Sequence, residues 1–155
     1  MKNNNILKKD LRIAVVEFAK QFVGIPYKYG ATSKDAPNAF DCSGFTQYIY
    51  SQFDCKIPRS TILQAEFAGK KIGSIKNILP GDLVFLHSTS GHYNKKFPQG
   101  IGHVAMYLGN NKAIHATSKR YKTYPNIIEK GSIKIESLSK IIQKAKPLVI
   151  IKRIV

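Results

Sequence analysis

Acidic residues are scarce in this chain of 155 residues. It contains 9 aspartates and glutamates against 25 lysines and arginines, which gives a formal net charge of +16 at pH 7. A charge of this size attracts polyanions, so nucleic acid, anionic lipid and other anionic polymers are all candidate partners. The basic residues are scattered, and no aromatic RNA-binding signature, zinc-ligand spacing or glycine-rich phosphate loop accompanies them. The charge alone therefore does not select a partner.

Cysteine and long apolar runs are also scarce. The two cysteines, Cys42 and Cys55, lie at opposite ends of one predicted helix, so we expect no disulfide between them. No apolar run is long enough to cross a bilayer as a helix. The N-terminus is basic enough to begin a signal peptide, but Glu17, Lys20 and Gln21 interrupt the sequence that follows, and no cleavage site is evident. We therefore predict no signal peptide.

Hydrophobic residues make up 43% of the chain, which is sufficient for one domain, residues 1–155, with a single core. Asp10 and Asp41 are predicted helix N-caps, and Thr61 and Gln64 have capping-box spacing. The patterns predict helices at 10–23, 42–53, from 61 to near 69, and 138–145, strands at 83–86, 101–108, 112–116 and 148–155, and an exposed basic excursion at 117–131. Helices that precede an antiparallel sheet indicate an α+β fold.

Cys42 is a candidate nucleophile because it occupies the first turn of a predicted helix. Backbone N–H groups and the helix dipole favour a thiolate at that position. Ser43 and Gly44 follow it and leave room for a substrate to approach the sulfur. The alternative is that Cys42 is a small, buried apolar residue, as most free cysteines are.

His103 and His115 could supply the acid–base chemistry that a cysteine nucleophile needs. They fall in consecutive predicted strands, and a turn near Gly109 would set them opposite each other on one sheet face. One imidazole would then accept the thiol proton, and the second would orient it. Two alternatives remain: each histidine is a half-buried polar residue, or both join Cys42 in a zinc site, although the usual metal-ligand spacing is absent.

Six short motifs, taken together and in order, resemble the NlpC/P60 cell-wall peptidases. They lie within residues 10–116 and comprise Ile25–Gly30, Phe40–Phe45, Ile57–Ser60, Leu79–Phe85, Gly102–Gly109 and Ile114–Ala116. The resemblance implies a papain-like α+β fold, with helices packed on an antiparallel sheet. It also implies cleavage of peptidoglycan stem peptides, commonly between γ-D-glutamate and a diamino acid. By this analogy Cys42 is the nucleophile, His103 the base and His115 the orienting residue.

The resemblance implies roles for five further residues. Tyr27 matches a tyrosine that helps to stabilise the tetrahedral oxyanion; otherwise it packs in the core. Asp41 and Ser43 match positions that hold the free amino end of the substrate, although Asp41 also fits a helix cap. Arg59 and Ser60 match a motif at the cleft edge; otherwise they pack where the next helix begins. The loop at 87–100 and the tail at 117–155 match no family motif, so substrate length and cross-link preference stay open.

The predicted partners are peptidoglycan peptides or muropeptides, with anionic wall polymers as a further candidate, and we expect no nucleic acid partner, no cofactor and a monomer. Without a signal peptide, the chain would act in the cytoplasm or reach the wall by a non-classical route. Two other function classes stay open. One is an amidase or acyltransferase that uses the same Cys-His pair. The other is a basic module that binds wall polymers or nucleic acid and in which Cys42 is inert.

Overall fold

The computed structural model describes residues 2–122 and 124–155. Their elements, in chain order, are α1 (Lys2–Lys20), α2 (Cys42–Ser51), α3 (Thr61–Phe67), β1 (Lys70–Ile72), a short 3₁₀ helix (Ile75–Asn77), β2 (Leu83–Leu86), β3 (His103–Gly109), β4 (Lys112–Lys122), β5 (Ile128–Ser137), α4 (Leu138–Lys144) and β6 (Leu148–Arg153). Three helices come first and the sheet follows, so the predicted α+β class is confirmed. No helix in the described part of the chain is long and apolar enough to cross a membrane.

The strands form one antiparallel sheet in the order β1-β6-β2-β3-β4-β5. The last strand, β6, lies between β1 and β2, where Ile151 pairs with Ile72 on one side and Val84 on the other. The four residues of β2 are all buried, as expected for a short apolar run at the centre of a sheet. The C-terminal strand thus completes the sheet.

Apolar side chains fill both faces of the sheet. On one face, residues of β2, β3 and β4 pack with Val15 of α1 and with Phe45 and Ile49 of α2. On the other face, α4 contributes Leu138 and Ile141 to a smaller cluster. Because side chains alternate along a strand, this two-sided burial explains why β2 contains no polar residue.

Two predicted helix starts are wrong. The first helix begins at Lys2 and not at Asp10, because residues 4–10 are helical but exposed and so have no apolar stripe that the sequence could reveal. The third helix is capped by Ser60, whose hydroxyl accepts a hydrogen bond from Leu63 N, and not by Thr61. Asp41 caps α2 as predicted, since its carboxylate accepts a hydrogen bond from Gly44 N at 2.7 Å.

The predicted basic excursion at 117–131 is wrong for most of its length. Strand β4 continues to Lys122, β5 begins at Ile128, and the two pair along almost their entire length. Their outer ends carry exposed polar and basic residues, so the sequence lacks the alternation that reveals a half-buried strand. The short strand β1 was also not predicted, because its three residues lie at the sheet edge and none is buried.

The hairpin β4–β5 also binds the segment that follows α1. Tyr27 N donates to Gly131 O, Ile133 N donates to Ile25 O, and Gly24 N donates to Ile133 O, each at 2.9 Å. These bonds extend the sheet edge with an isolated bridge between Pro26 and Ser132. The segment that carries Tyr27 is therefore held by the hairpin.

Candidate functional site

Cys42 lies at the first position of α2 and is only 8% exposed to solvent. Its sulfur contacts the Thr61 hydroxyl at 3.7 Å, and the backbone amides of Val104 and Ser43 face it. Val104 directly follows His103 in β3, so the strand that carries this histidine passes beside the sulfur. Among the described side chains, no hydrogen bond joins Cys42 to His103 directly.

Burial controls the protonation of Cys42. Loss of solvent raises the pKa of the thiol and outweighs the hydrogen bond from Thr61, while the charge of Asp41 raises the pKa further. The Val104 and Ser43 amides lower it. The pKa of the thiol is thus raised, whereas the helix N-terminus alone predicts that it is lowered, and burial favours the neutral thiol.

His103 and His115 are brought together, but not as directly opposed residues. The β3–β4 pairing sets Met106 opposite Ile114 and shifts between Tyr107 and Gly109, so the two histidines are diagonal neighbours on one face. His103 Nε2 and His115 Nδ1 are 2.7 Å apart, and the rings meet edge to face. Diagonal neighbours lie within reach of aromatic side chains, so the two imidazoles can form this bond although their residues are not directly opposed.

Glu136 completes a row of three titratable side chains. Its Oε2 lies 2.6 Å from His115 Nε2, and its side chain is 33% exposed while that of His115 is 5% exposed. Burial lowers the pKa of His103 to about 3, and the neighbouring His115 lowers it further. Burial also lowers the pKa of His115, although Glu136 opposes this change, and the bond from His115 lowers the pKa of Glu136.

Arg59 joins three groups beside the cysteine. Its Nη2 lies 2.6 Å from Asp41 Oδ2 and donates to Ala31 O, and its Nη1 donates to Ser43 Oγ at 2.9 Å. A Cβ on Gly44 would lie 2.8 Å from Asp41 Oδ1 and 3.2 Å from the Arg59 guanidinium carbon. A glycine at this position thus leaves space for the ion pair.

Tyr27 is near the cysteine and is supported by the hairpin. Burial raises the pKa of its phenol, and negative charge on Cys42 when it is ionised, on Glu129 and on Asp41 raises it further, whereas a hydrogen bond with Ser118 lowers it. Ser118 Oγ also donates to Glu129 at 3.0 Å, and Arg120 pairs with the same carboxylate at 2.5 Å. The polar surroundings of Tyr27 therefore come from β4 and β5.

An open cleft of about 750 Å³ runs past these groups. Seven of the eight predicted site residues line it, and they are Tyr27, Asp41, Cys42, Ser43, Arg59, Ser60 and His103. His115 lies behind His103 and does not line the cleft. Ser60 caps α3 and also faces the cleft, so it lies both at the start of the helix and at the cleft edge, as the two readings of its motif predict. The loop at 87–92 and residues 144–146 form further parts of the wall.

Three contacts of this site were not predicted, those of Thr61, Ser118 and Glu136. The sequence predicts a helix-capping role for Thr61, but its hydroxyl contacts the sulfur. Ser118 lies in the segment that the sequence predicts to be a basic excursion. Glu136 alternates with Ile135 in the sequence, which signals a strand but does not reveal which neighbour the carboxylate faces. Among residues 2–122 and 124–155, no three histidine, cysteine or acidic side chains form a metal-binding cluster.

Known proteins from several bacteria are similar in sequence to this chain over most of its length. A probable endopeptidase of Corynebacterium glutamicum is 38% identical over 103 residues, which are 66% of this chain and 42% of the relative. The gamma-DL-glutamyl hydrolase of Bacillus subtilis is 31% identical over 118 residues, 76% of this chain and 26% of the relative. The chain thus spans less than half the length of these relatives.

A solved structure and a family model agree with these relatives. NlpC1 of Trichomonas vaginalis superposes with a TM-score of 0.70 at 26% identity, covering 92% of this chain and 44% of the other. The NlpC/P60 family model matches residues 24–141, and so extends past Ala116 through β5 and into α4. This match covers more than half of the chain and includes all eight predicted site residues and Glu136, and on this basis the chain belongs to the NlpC/P60 family.

Proposed function

We propose that residues 1–155 act as one catalytic domain, a cysteine peptidase that hydrolyses an amide bond in peptidoglycan stem peptides. The observation that carries the proposal is the placement of Cys42 in the cleft beside β3, together with the 2.7 Å contact between His103 and His115. A thiol at a helix N-terminus with an imidazole base nearby, oriented by a third group, is an arrangement that activates a cysteine nucleophile. Membership of the family supports the substrate class.

In the proposed first step, His103 accepts the thiol proton as the sulfur attacks the substrate carbonyl. Its Nε2 is engaged by His115, so Nδ1 is the nitrogen that takes the proton. Thr61 holds the sulfur in the resting state, and the contact between thiol and imidazole tightens when substrate binds. Because both groups start neutral, proton transfer accompanies attack and does not precede it.

The second half of the proposed reaction returns the proton. His103 Nδ1 gives it to the leaving amine as the C–N bond breaks, which leaves a thioester on Cys42. A water then attacks the thioester, His103 accepts the proton of that water, and the proton returns to the sulfur as the C–S bond breaks. Tyr27, beside Cys42, would donate its phenolic hydrogen to the oxyanion of each tetrahedral intermediate.

The bond that we propose joins γ-D-glutamate to a diamino acid. The similarity to a gamma-DL-glutamyl hydrolase of Bacillus subtilis supports a γ-glutamyl substrate. Asp41 and Ser43, both fixed by Arg59 at the cleft wall, supply the oxygen acceptors that a substrate ammonium group requires. A stem peptide with a free amino end would place that group there and its scissile carbonyl next to Cys42.

Mass spectrometry of purified peptidoglycan and soluble muropeptides tests this proposal. We expect wild type to release fragments with a new glutamyl carboxylate and a new amine on the diamino acid, and Cys42→Ala to release none. Cys55→Ala is the matched control, because Cys55 lies outside the cleft, and it should cut as wild type does. Cleavage by Cys42→Ala would refute the proposed mechanism.

The same experiment separates the other function classes. An amidase would cut the bond between the sugar and the peptide, and an acyltransferase would join the glutamyl group to an added amine and release no free acid. A basic binding module would retain the polymer without cutting it, and Cys42→Ala would not change that retention. The position of the new ends therefore identifies the reaction.

A further inference from the structure

His103, His115 and Glu136 form a continuous row of hydrogen bonds across three strands. Glu136, the next-to-last residue of β5, reaches His115 Nε2 at 2.6 Å, and His115 Nδ1 reaches His103 Nε2 at 2.7 Å. His115 uses both of its ring nitrogens in this row and is 4% exposed. Solvent therefore does not replace either of its partners.

The direction of each hydrogen bond follows from the carboxylate at the end of the row. An ionised carboxylate only accepts, so His115 Nε2 must carry a hydrogen and donate it to Glu136. A neutral His115 then has a lone pair on Nδ1, and that lone pair accepts a hydrogen from His103 Nε2. The consequence for a neutral His103 is that its Nδ1 has no hydrogen and is free to act as a base.

We propose that Glu136 is a positioning residue that fixes the tautomers of both histidines and keeps His103 Nδ1 unprotonated. Its importance for turnover rests on the proposed function above, whereas the tautomers are a property of the folded protein itself. Without the carboxylate, His115 could donate from Nδ1, and a neutral His103 would then carry its hydrogen on Nδ1. That tautomer cannot accept the thiol proton.

The charge of Glu136 has a second consequence during turnover. When His103 accepts the thiol proton it becomes an imidazolium, and the negative charge two hydrogen bonds away stabilises that cation. Lys134 and Lys144 are the cations whose charges act on both His115 and Glu136, and they oppose a positive charge on His115. Glu136 is thus the negative group that offsets them beside the histidine pair.

Histidine tautomers can be measured without a substrate. We expect long-range ¹H–¹⁵N correlation spectra of the wild-type protein at neutral pH to show a protonated Nε2 and an unprotonated Nδ1 for His103. The Glu136→Ala variant should shift part of His103 to the opposite tautomer, and Glu136→Gln should shift less because its amide oxygen still accepts. A wild-type His103 with hydrogen on Nδ1 would overturn the proposal, whether or not the protein cuts peptidoglycan.

A double-mutant cycle tests whether Glu136 acts through His115. We expect Glu136→Ala to lower kcat by about 10- to 100-fold with little change in KM, which is the usual range for a residue that orients a catalytic side chain. In a His115→Gln background the same substitution should lower kcat less than twofold, because the intermediary is gone. The matched charge control is Glu17→Gln on α1, where Glu17 pairs with Lys20 at 2.6 Å, and this variant should match wild type.

The outcomes separate this proposal from the proposed function. Absence of peptidoglycan cleavage by wild type would refute the function, while the nitrogen spectra would still decide the tautomer. An equal loss of kcat in the wild-type and His115→Gln backgrounds would overturn the positioning role. Unaltered spectra and kcat in Glu136→Ala would overturn it as well. Because Glu136 is one-third exposed, the Gln variant should fold, and thermal unfolding checks this.

Discussion

At the scale of single residues, burial decides the resting state of the site. A thiol at a helix N-terminus is expected to ionise readily, yet Cys42 has almost no contact with solvent and its pKa is raised. The pKa of His103 is lowered, because desolvation disfavours the imidazolium. Burial thus favours the neutral form of both partners, which fits the proposed mechanism, in which His103 acts as a general base and no ion pair is present at the start.

The depressed pKa of His103 predicts how stability depends on pH. Its pKa is 6.5 in an unfolded chain and about 3 in the folded protein, so between these values the unfolded state binds a proton that the folded state does not. The contribution is fully present above pH 6.5 and is lost as the pH falls toward 3. Replacing His103 with Gln should flatten the slope of unfolding free energy between pH 6 and 4 by up to about 1.4 kcal/mol per pH unit.

Urea unfolding of wild type and His103→Gln at a series of pH values measures this slope. Titrating carboxylates contribute equally to both proteins, so the difference isolates the histidine. His92→Gln, at an exposed histidine of the loop at 87–100, provides the matched substitution control. Identical slopes in wild type and His103→Gln would contradict a lowered pKa of His103 in the folded protein.

At the scale of elements, the first turn of α2 combines a structural and a proposed binding role in one carboxylate. Asp41 caps the helix through Gly44 N and pairs with Arg59 through its other oxygen. The two roles make different predictions for substitution by asparagine, which caps a helix as well as aspartate does but has no charge.

We expect Asp41→Asn to fold with nearly the stability of wild type, because asparagine keeps the helix cap and its amide oxygen can still accept a hydrogen bond from Arg59. Asp41→Ala should lose about 0.5–2 kcal/mol of unfolding free energy with the cap. Both variants should lose about tenfold or more in kcat/KM on a stem peptide with a free amino end, since a hydrogen bond to a charged group is removed. The N-acetylated peptide is the control substrate, and it should show little difference between variants. Wild-type activity of Asp41→Asn on the peptide with a free amino end would contradict the proposed binding role of Asp41 and leave its structural role at the start of α2.

The hairpin β4–β5 is the element that assembles the site, because it carries His115, Ser118 and Glu136 and binds the segment of Tyr27. Gly131 marks a point of close approach within it. A Cβ at that position would lie 2.0 Å from Thr117 O in the adjacent strand, and this backbone atom cannot turn aside as a side chain could.

Gly131→Ala should therefore force the two strands apart and destabilise the protein by about 1–3 kcal/mol. Thermal unfolding should show a Tm lower by several °C, and kcat/KM should fall because Tyr27 and His115 lose their relative positions. Gly73→Ala is the matched control, since nothing lies within 4 Å of a Cβ there and the residue has no positive φ. An equal Tm for the two variants would contradict the close packing of the hairpin.

At the scale of the whole molecule, the net charge of +16 acts over longer distances than any single contact. Many of the lysines are exposed, and Lys119, Lys122 and Lys130 lie near the outer end of the hairpin. Arg120 in the same region pairs with Glu129 at the cleft and so belongs to the surroundings of Tyr27. We infer that the positive charge of the exposed lysines promotes encounter with an anionic wall polymer.

Salt should then separate encounter from bond cleavage. Attraction between exposed charges is screened over about 8 Å at physiological ionic strength, so added salt should slow hydrolysis of intact sacculi far more than hydrolysis of a small stem peptide. Substitution of Lys119, Lys122 and Lys130 by Gln should reproduce part of the loss on sacculi and leave the turnover of the small peptide nearly unchanged. Equal salt effects on both substrates would exclude wall attraction, and binding assays with nucleic acid would then be the next test.

The sequence by itself determined the features that depend on residues close together in the chain. Asp41 before Cys42, followed by apolar residues at helical spacing, predicts the start of α2, and this start is observed. Leu79–Asp82 predicts a turn, and Gly81 has the required positive φ of 92°. Asn110 and Asn111 likewise form the tight turn between β3 and β4. Local steric and hydrogen-bonding preferences suffice for such elements.

Only the tertiary structure decided which distant groups meet. The pairing of β4 with β5 brings Glu136 to His115, and the shift in the β3–β4 pairing makes the histidines diagonal neighbours. The packing that surrounds Cys42 raises its pKa against the effect of its own helix. Register and desolvation depend on strands and side chains far apart in the chain, so no local pattern contains them, and they set the chemistry of this site.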